Sequence, residues 1–208
     1  MTAVNTDVPS LNAIEVQGLT RGGFILRSAF AVGTVYGAGA VGPYVTQAFA
    51  QDNAGDIEVL NFALTLELLE AAFYERALRL RLSGPVRELA LAFGTHEREH
   101  VSAIKETIEG LGGKPEKAPK FSFPITNESS FLALAQTLEE TGVSAYNGAA
   151  VQIQSPEVLA AAGQIVQIEA RHAAAIRTVR GQAPAPRAFD KPLEMEQVLQ
   201  ATKPFVRP

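Results

Sequence analysis

Glu67, Tyr74, Glu97 and His100 recur 72 residues later as Glu139, Tyr146, Glu169 and His172. Each half of the repeat carries one Glu and, thirty residues on, a Glu-x-x-His. The chain has three histidines, and two of them occupy equivalent places in this duplication. The apolar residues around these positions share their spacing. Leu60, Leu64, Glu67, Ala71, Tyr74 and Leu78 follow one another at helical steps, as do Phe93, Glu97, His100, Ile104 and Ile108. Leu132, Ala135, Glu139, Gly142 and Tyr146, then Ile165, Glu169, His172 and Ile176, repeat the arrangement. Steps of three, four and seven keep side chains on one face of a helix, so each polar residue lies on the stripe that must be buried.

Four helical stretches without a strong period-two run between them predict an all-α domain. The first helix is expected from an N-cap at about Asp56 to Arg81, and a second from the Ser83-Gly84-Pro85 turn to an end in Gly110-Leu111-Gly112-Gly113, with Pro115 beyond it. A third is expected from Asn127 or Ser129 to about Ile153. Ser155-Pro156 caps a fourth that stops at Gly181. The pattern gives two antiparallel hairpins. About fifteen residues with Pro115, Pro119 and Pro124 join them, enough in extended form, at roughly 3.3 Å each, to run the length of a helix. The prediction is a four-helix bundle over 51–182 with one long crossover. A Pro-rich tail, 183–208, is expected to pack on its outside, with a short helix near Leu193 to Ala201.

Residues 1–50 read as an export signal. Thr20-Arg21-Gly22-Gly23-Phe24-Ile25-Leu26-Arg27 precedes an apolar Gly/Ala-rich run from Ser28 to about Thr46, and Ala48-Phe49-Ala50 forms an A-x-A cleavage site. The frame is similar to a twin-arginine signal with Gly22 in place of the second Arg, so the twin-arginine and general secretory routes are both open. A retained membrane anchor is the alternative, and a cleaved signal leaves no stable membrane contact.

Composition narrows the chemistry. A net charge of −4 and the lack of any basic run exclude nucleic acid as an expected partner. With no cysteine there is no disulfide, thiolate nucleophile, Cys-ligated zinc or iron–sulfur cluster, so a metal must be held by Glu, Asp and His. Four ionised carboxylates buried together repel one another and cost several kcal/mol each unless compensated. Two divalent cations cancel the charge of four glutamates. Carboxylate oxygen and imidazole nitrogen suit Fe(II) or Mn(II), and a Glu and a His one turn apart can serve the same ion.

At these residues the chain resembles the ferritin-like superfamily, whose di-iron and di-manganese members carry one Glu and one Glu-x-x-His per hairpin. More narrowly, it is similar to exported bacterial ferritin-like domain proteins, some of them called desiccation-related. The resemblance runs from about Asp56 to Arg180 and includes Glu97-Arg98-Glu99-His100 and the stretch from Leu138 to Tyr146. It implies a ferritin-like bundle holding two Fe ions, with Mn as the alternative. Glu67 and Glu139 would be terminal carboxylates, Glu97 and Glu169 bridging ones, and His100 and His172 one nitrogen ligand each. Tyr74 and Tyr146, one heptad from the ligand glutamates, are expected beside them, as hydrogen-bond donors to a ligand or as electron donors. Glu70, Glu99, Glu140, Arg98 and Arg171 are expected on solvated faces.

A different chemistry is also spelled here. His96-Glu97-Arg98-Glu99-His100 matches H-E-x-x-H, the zinc-hydrolase pattern, in which His96 and His100 would be ligands and Glu97 the base. That reading leaves Glu67, Glu139, Glu169 and His172 without a role, and Ala103 and Glu106 replace the Gly and third His of its extended form. The expected activity is therefore oxidation of Fe(II) or reduction of O2 or peroxide. The alternatives are a di-manganese catalase-like reaction and a non-catalytic metal-binding stress protein. Assembly into an oligomer stays open at this point.

Overall fold

The computed structural model describes residues 43–207 of the 208. The export segment expected at 1–50 lies largely outside the described residues. Among them, no helix is long and apolar enough to cross a membrane.

Four long helices dominate: α1 (Pro43–Ala77), α2 (Gly84–Gly110), α3 (Glu128–Ala149) and α4 (Pro156–Val179). The fold is the all-α four-helix bundle that the periodicity predicts. Asn127 caps α3 by accepting from the Ser130 N–H at 2.9 Å, with the Ser130 side chain returning a bond to the cap. Ser155 caps α4, whose first residue is Pro156. Gly112 and Gly181 take φ of +81° and +71° after α2 and α4, where a left-handed residue lets the chain turn away.

The first helix differs from expectation. It starts at Pro43 rather than near Asp56 and ends at Ala77, so Asp56 is not its cap. The Asp56 carboxylate, 1% exposed, instead accepts the Gln154 and Ser155 N–H groups at 2.7 and 2.8 Å. It thereby ties α1 to the connection between α3 and α4.

Two apolar clusters show how the helices run. One contains Leu60, Leu64, Ile104, Ile108, Tyr146 and Val158. The other contains Phe73, Val86, Ala90, Phe131, Ala135 and Ile176. In chain order α1 and α4 pass from the first cluster to the second, whereas α2 and α3 pass the opposite way. Parallel α2 and α3 require the long connection between them. Glu67, Glu97, Glu139 and Glu169 fall between the two clusters on their four helices, which puts a polar layer at mid-bundle.

The crossover is fastened at both ends. Asn61 on α1 accepts the Glu116 N–H at 2.8 Å, and Phe123 packs edge-on against Phe73. A two-residue strand in it, β1 (Lys120–Phe121), pairs antiparallel with β2 (Val206–Arg207) at the chain's end. The tail between them carries α5 (Met195–Thr202), whose Val198 is buried with Leu66 of α1 and Ala145 of α3. Close approach is possible because α3 has Gly148 there: a Cβ at that position would sit 1.9 Å from the Leu193 carbonyl oxygen.

Candidate metal centre

All six residues singled out by the repeat converge in the polar layer. Glu67, Glu97, Glu139 and Glu169 are fully buried, and His172 is 2% exposed. Each imidazole turns its Nδ1 inward. His100 Nδ1 lies 3.0 Å from Glu67 Oε2 and 3.2 Å from both Glu97 Oε2 and Glu169 Oε1. His172 Nδ1 lies 3.1 Å from Glu97 Oε1 and 3.2 Å from Glu139 Oε2. Two ligand sets result, Glu67–Glu97–His100–Glu169 and Glu97–Glu139–Glu169–His172, and within each the candidate ligand atoms lie within 4.8 Å of one another. Glu97 and Glu169 belong to both.

The two tyrosines cross between hairpins. Tyr146 of α3 donates its hydroxyl to Glu67 Oε1 at 2.5 Å, and Tyr74 of α1 donates to Glu139 Oε1. Burial and the adjoining carboxylates push both phenols well above their ordinary range, so they stay protonated donors. Glu67 and Glu139 thus each have one oxygen held by a phenol and the other facing a histidine.

Protons occupy the layer when no cation does. Burial alone would lower the His100 pKa, but contacts with Glu169, Glu67 and Glu97 outweigh it and push it up to about 12. His172 is likewise depressed by burial and raised further by Glu139 and Glu97, to about 10. Burial raises Glu67 to about 7 against the pull of His100, and raises Glu139 well above the carboxylate range. Two imidazolium ions do not satisfy the layer. Glu97 Oε1 and Glu169 Oε1 have only the imidazole contacts of 3.1 and 3.2 Å, outside hydrogen-bond geometry, and the buried Glu169 Oε2 has no hydrogen bond among the described residues. Two buried carboxylates shared by both ligand sets and poorly satisfied by the imidazoles fit a pair of cations between them.

Two further residues occupy places the sequence reading did not give them. Glu70, expected on a solvated face, is 3% exposed, and burial followed by the charges of Glu169 and Glu139 raises its pKa well above the usual value. It stands three residues beyond Glu67, and the repeat puts Gly142 at the matching place. A Cβ on Gly142 would lie 3.4 Å from both Glu70 Oε1 and Glu169 Oε2, so the missing side chain leaves the room that Glu70 uses. The shared face of Glu67, Glu70 and Tyr74 is the signal that could have identified it. His96, a ligand only in the zinc-hydrolase reading, is part-buried, with its Nδ1 2.9 Å from the Nε2 of His172. It belongs to neither ligand set. By contrast Glu99, Arg98 and Arg171 are exposed, and Glu140, half-buried, pairs with Arg177 at 2.8 Å.

Known proteins share this architecture. A conserved hypothetical protein of Mycobacterium tuberculosis, rv2844, has a crystal structure that superposes with a TM-score of 0.58 at 18% identity, over 66% of this chain and 99% of that one. At that identity the likeness shows the fold alone. No curated protein matches the sequence. The model of the ferritin-like domain family matches residues 55–182, which hold all four bundle helices from Gly55 onward and every residue of the centre. The chain belongs to the ferritin-like domain family.

Proposed function

We propose that this protein is an exported ferritin-like protein that binds two iron ions in the mid-bundle layer and oxidises Fe(II) or reduces O2 or peroxide. The sharing of Glu97 and Glu169 by two converging ligand sets carries the reading, since one carboxylate reaching two cations is what a bridged pair needs. Glu67 and His100 would complete one position, and Glu139 and His172 the other. Iron bound there supplies reversible one-electron oxidation at each ion, and manganese fits the same donors and would supply a catalase-like cycle. The protein's own part is to bring the carboxylates together, to fix Glu67 and Glu139 through Tyr146 and Tyr74, and to keep the layer dry. A zinc hydrolase fits less well, because His96 turns an imidazole nitrogen to His172 and stands outside both ligand sets.

Complete burial of all four ligand carboxylates favours one second reading, a stress protein that sequesters metal without turnover. Export rests on the order of residues 1–50. Cleavage after Ala50 would remove the first two turns of α1 and no residue of the centre.

Elemental analysis of protein purified without chelator, beside the Glu97→Ala/Glu169→Ala double variant, tests the assignment. About two Fe or Mn per chain, lost in the variant, is the expected result, and a mature mass starting at Gln51 is expected for the exported form. Fe(II)-dependent O2 uptake then separates turnover from storage. A single zinc ion, or no metal, would overturn the proposal.

A further inference from the structure

The pseudo-twofold relation between the hairpins fails on one side of the centre. Residues 72 positions apart match at Glu67/Glu139, Tyr74/Tyr146, Glu97/Glu169 and His100/His172, but α2 offers Phe93 and His96 where α4 has Ile165 and Ile168. Both odd residues touch the same imidazole. The Phe93 ring stacks on His172 with centroids 3.9 Å apart and 22° between planes, and His96 lies nearly parallel to His172 at 7°. With Nδ1 of His172 given to a metal, the ring's hydrogen sits on Nε2, which then donates to Nδ1 of His96, 2.9 Å away. That bond fixes the tautomer that leaves Nδ1 free as a ligand, holds the ring plane and makes Nδ1 a stronger donor. His100 has no such partner on its outer nitrogen among the described residues.

We infer that the two metal positions are unequal, and that His96 is the positioning residue that makes the Glu139–His172 position the tighter and first filled. The inference rests on the dinuclear reading above. It assigns the third histidine of the chain, which neither ligand set uses, to the difference between the positions.

Stepwise addition of Co(II) to the chelator-treated full chain, followed by its ligand-field absorption and by calorimetry, tests this. Wild type is expected to fill in two unequal steps. Replacing the acceptor with the residue of the other half, His96→Ile, should weaken the first step about 10- to 100-fold and merge it with the second. His96→Asn, whose amide oxygen stands about where Nδ1 stood, should restore the separation and the first-step spectrum. His96→Gln reaches further, misplaces that oxygen and should behave as His96→Ile does, which keeps the test open if the isoleucine variant does not fold. Equal steps in wild type, unequal steps that persist in His96→Ile and His96→Gln, or equal loss in the Asn variant would overturn the inference and leave the dinuclear centre standing. Failure of wild type to bind Co(II) would overturn the centre itself.

Discussion

Tyr146 on α3 donates its hydroxyl at 2.5 Å to Glu67 on α1, and the reciprocal bond from Tyr74 on α1 reaches Glu139 on α3. Each hairpin therefore supplies a hydrogen bond to a buried carboxylate of the other. The two tyrosines also belong to opposite apolar clusters, so the polar layer is fastened to the core on both sides.

Removing one phenol should loosen that link without dismantling the bundle. Tyr146→Phe keeps the ring's packing and strips a buried carboxylate of its donor, a loss of about 1.5–3 kcal/mol for a hydrogen bond to a charged group. The expected result is a lower unfolding midpoint in urea with an unchanged slope, and a weaker metal position at Glu67. A midpoint equal to wild type would show that the bond contributes nothing net.

Stability of the metal-free protein should fall as pH rises, while the stabilisation that metal adds should grow. The folded metal-free protein holds a proton on Glu67 up to about pH 7 against an ordinary 4.5, and on His172 and His100 up to about 10 and 12 against 6.5. A group whose pKa is raised by folding contributes stability that is complete below its unfolded value and lost as pH rises through its folded one. For Glu67 that window is 4.5 to about 7, and the shift corresponds to roughly 3 kcal/mol. The histidine contributions decline above pH 6.5. Metal binding displaces these protons and strengthens as pH rises. Thermal scans at pH 5 and pH 8 should show the chelated protein less stable at pH 8 and the gain on adding metal larger there. A gain that shrinks with pH would contradict the proton assignment.

Asp56 has a purely structural role. Asp56→Ala leaves the Gln154 and Ser155 N–H groups without their acceptor, at a cost of about 2–3 kcal/mol in thermal unfolding. Metal content should stay at the wild-type level, because Asp56 belongs to neither ligand set. Metal loss in this variant would mean that the α3–α4 connection supports the centre directly.

The helices and the centre were legible in the chain because both depend on short-range spacing. Steps of three and four residues put Glu97 and His100 on one face wherever the helix lies, and Ser155-Pro156 starts a helix by local geometry alone. Asp56 was misread because its partners are about a hundred residues away, at Gln154 and Ser155, and local rules make any Asp before a helical run a cap. Glu70 was misread for a related reason. The face it occupies is covered by Leu138 and Gly142 of α3 and by Thr202 of the tail, elements whose contact with α1 no local spacing reveals.

By itself, then, the sequence determined that four amphipathic helices would bury four glutamates and two histidines, since periodicity and the aversion of buried charge to an apolar core act residue by residue. Tertiary structure alone decided the rest. Which carboxylates are shared between the two ligand sets, which tyrosine serves which carboxylate, and that His96 attaches to His172 depend on how α1 to α4 are placed across the bundle, and that placement arises from contacts between residues far apart in the chain.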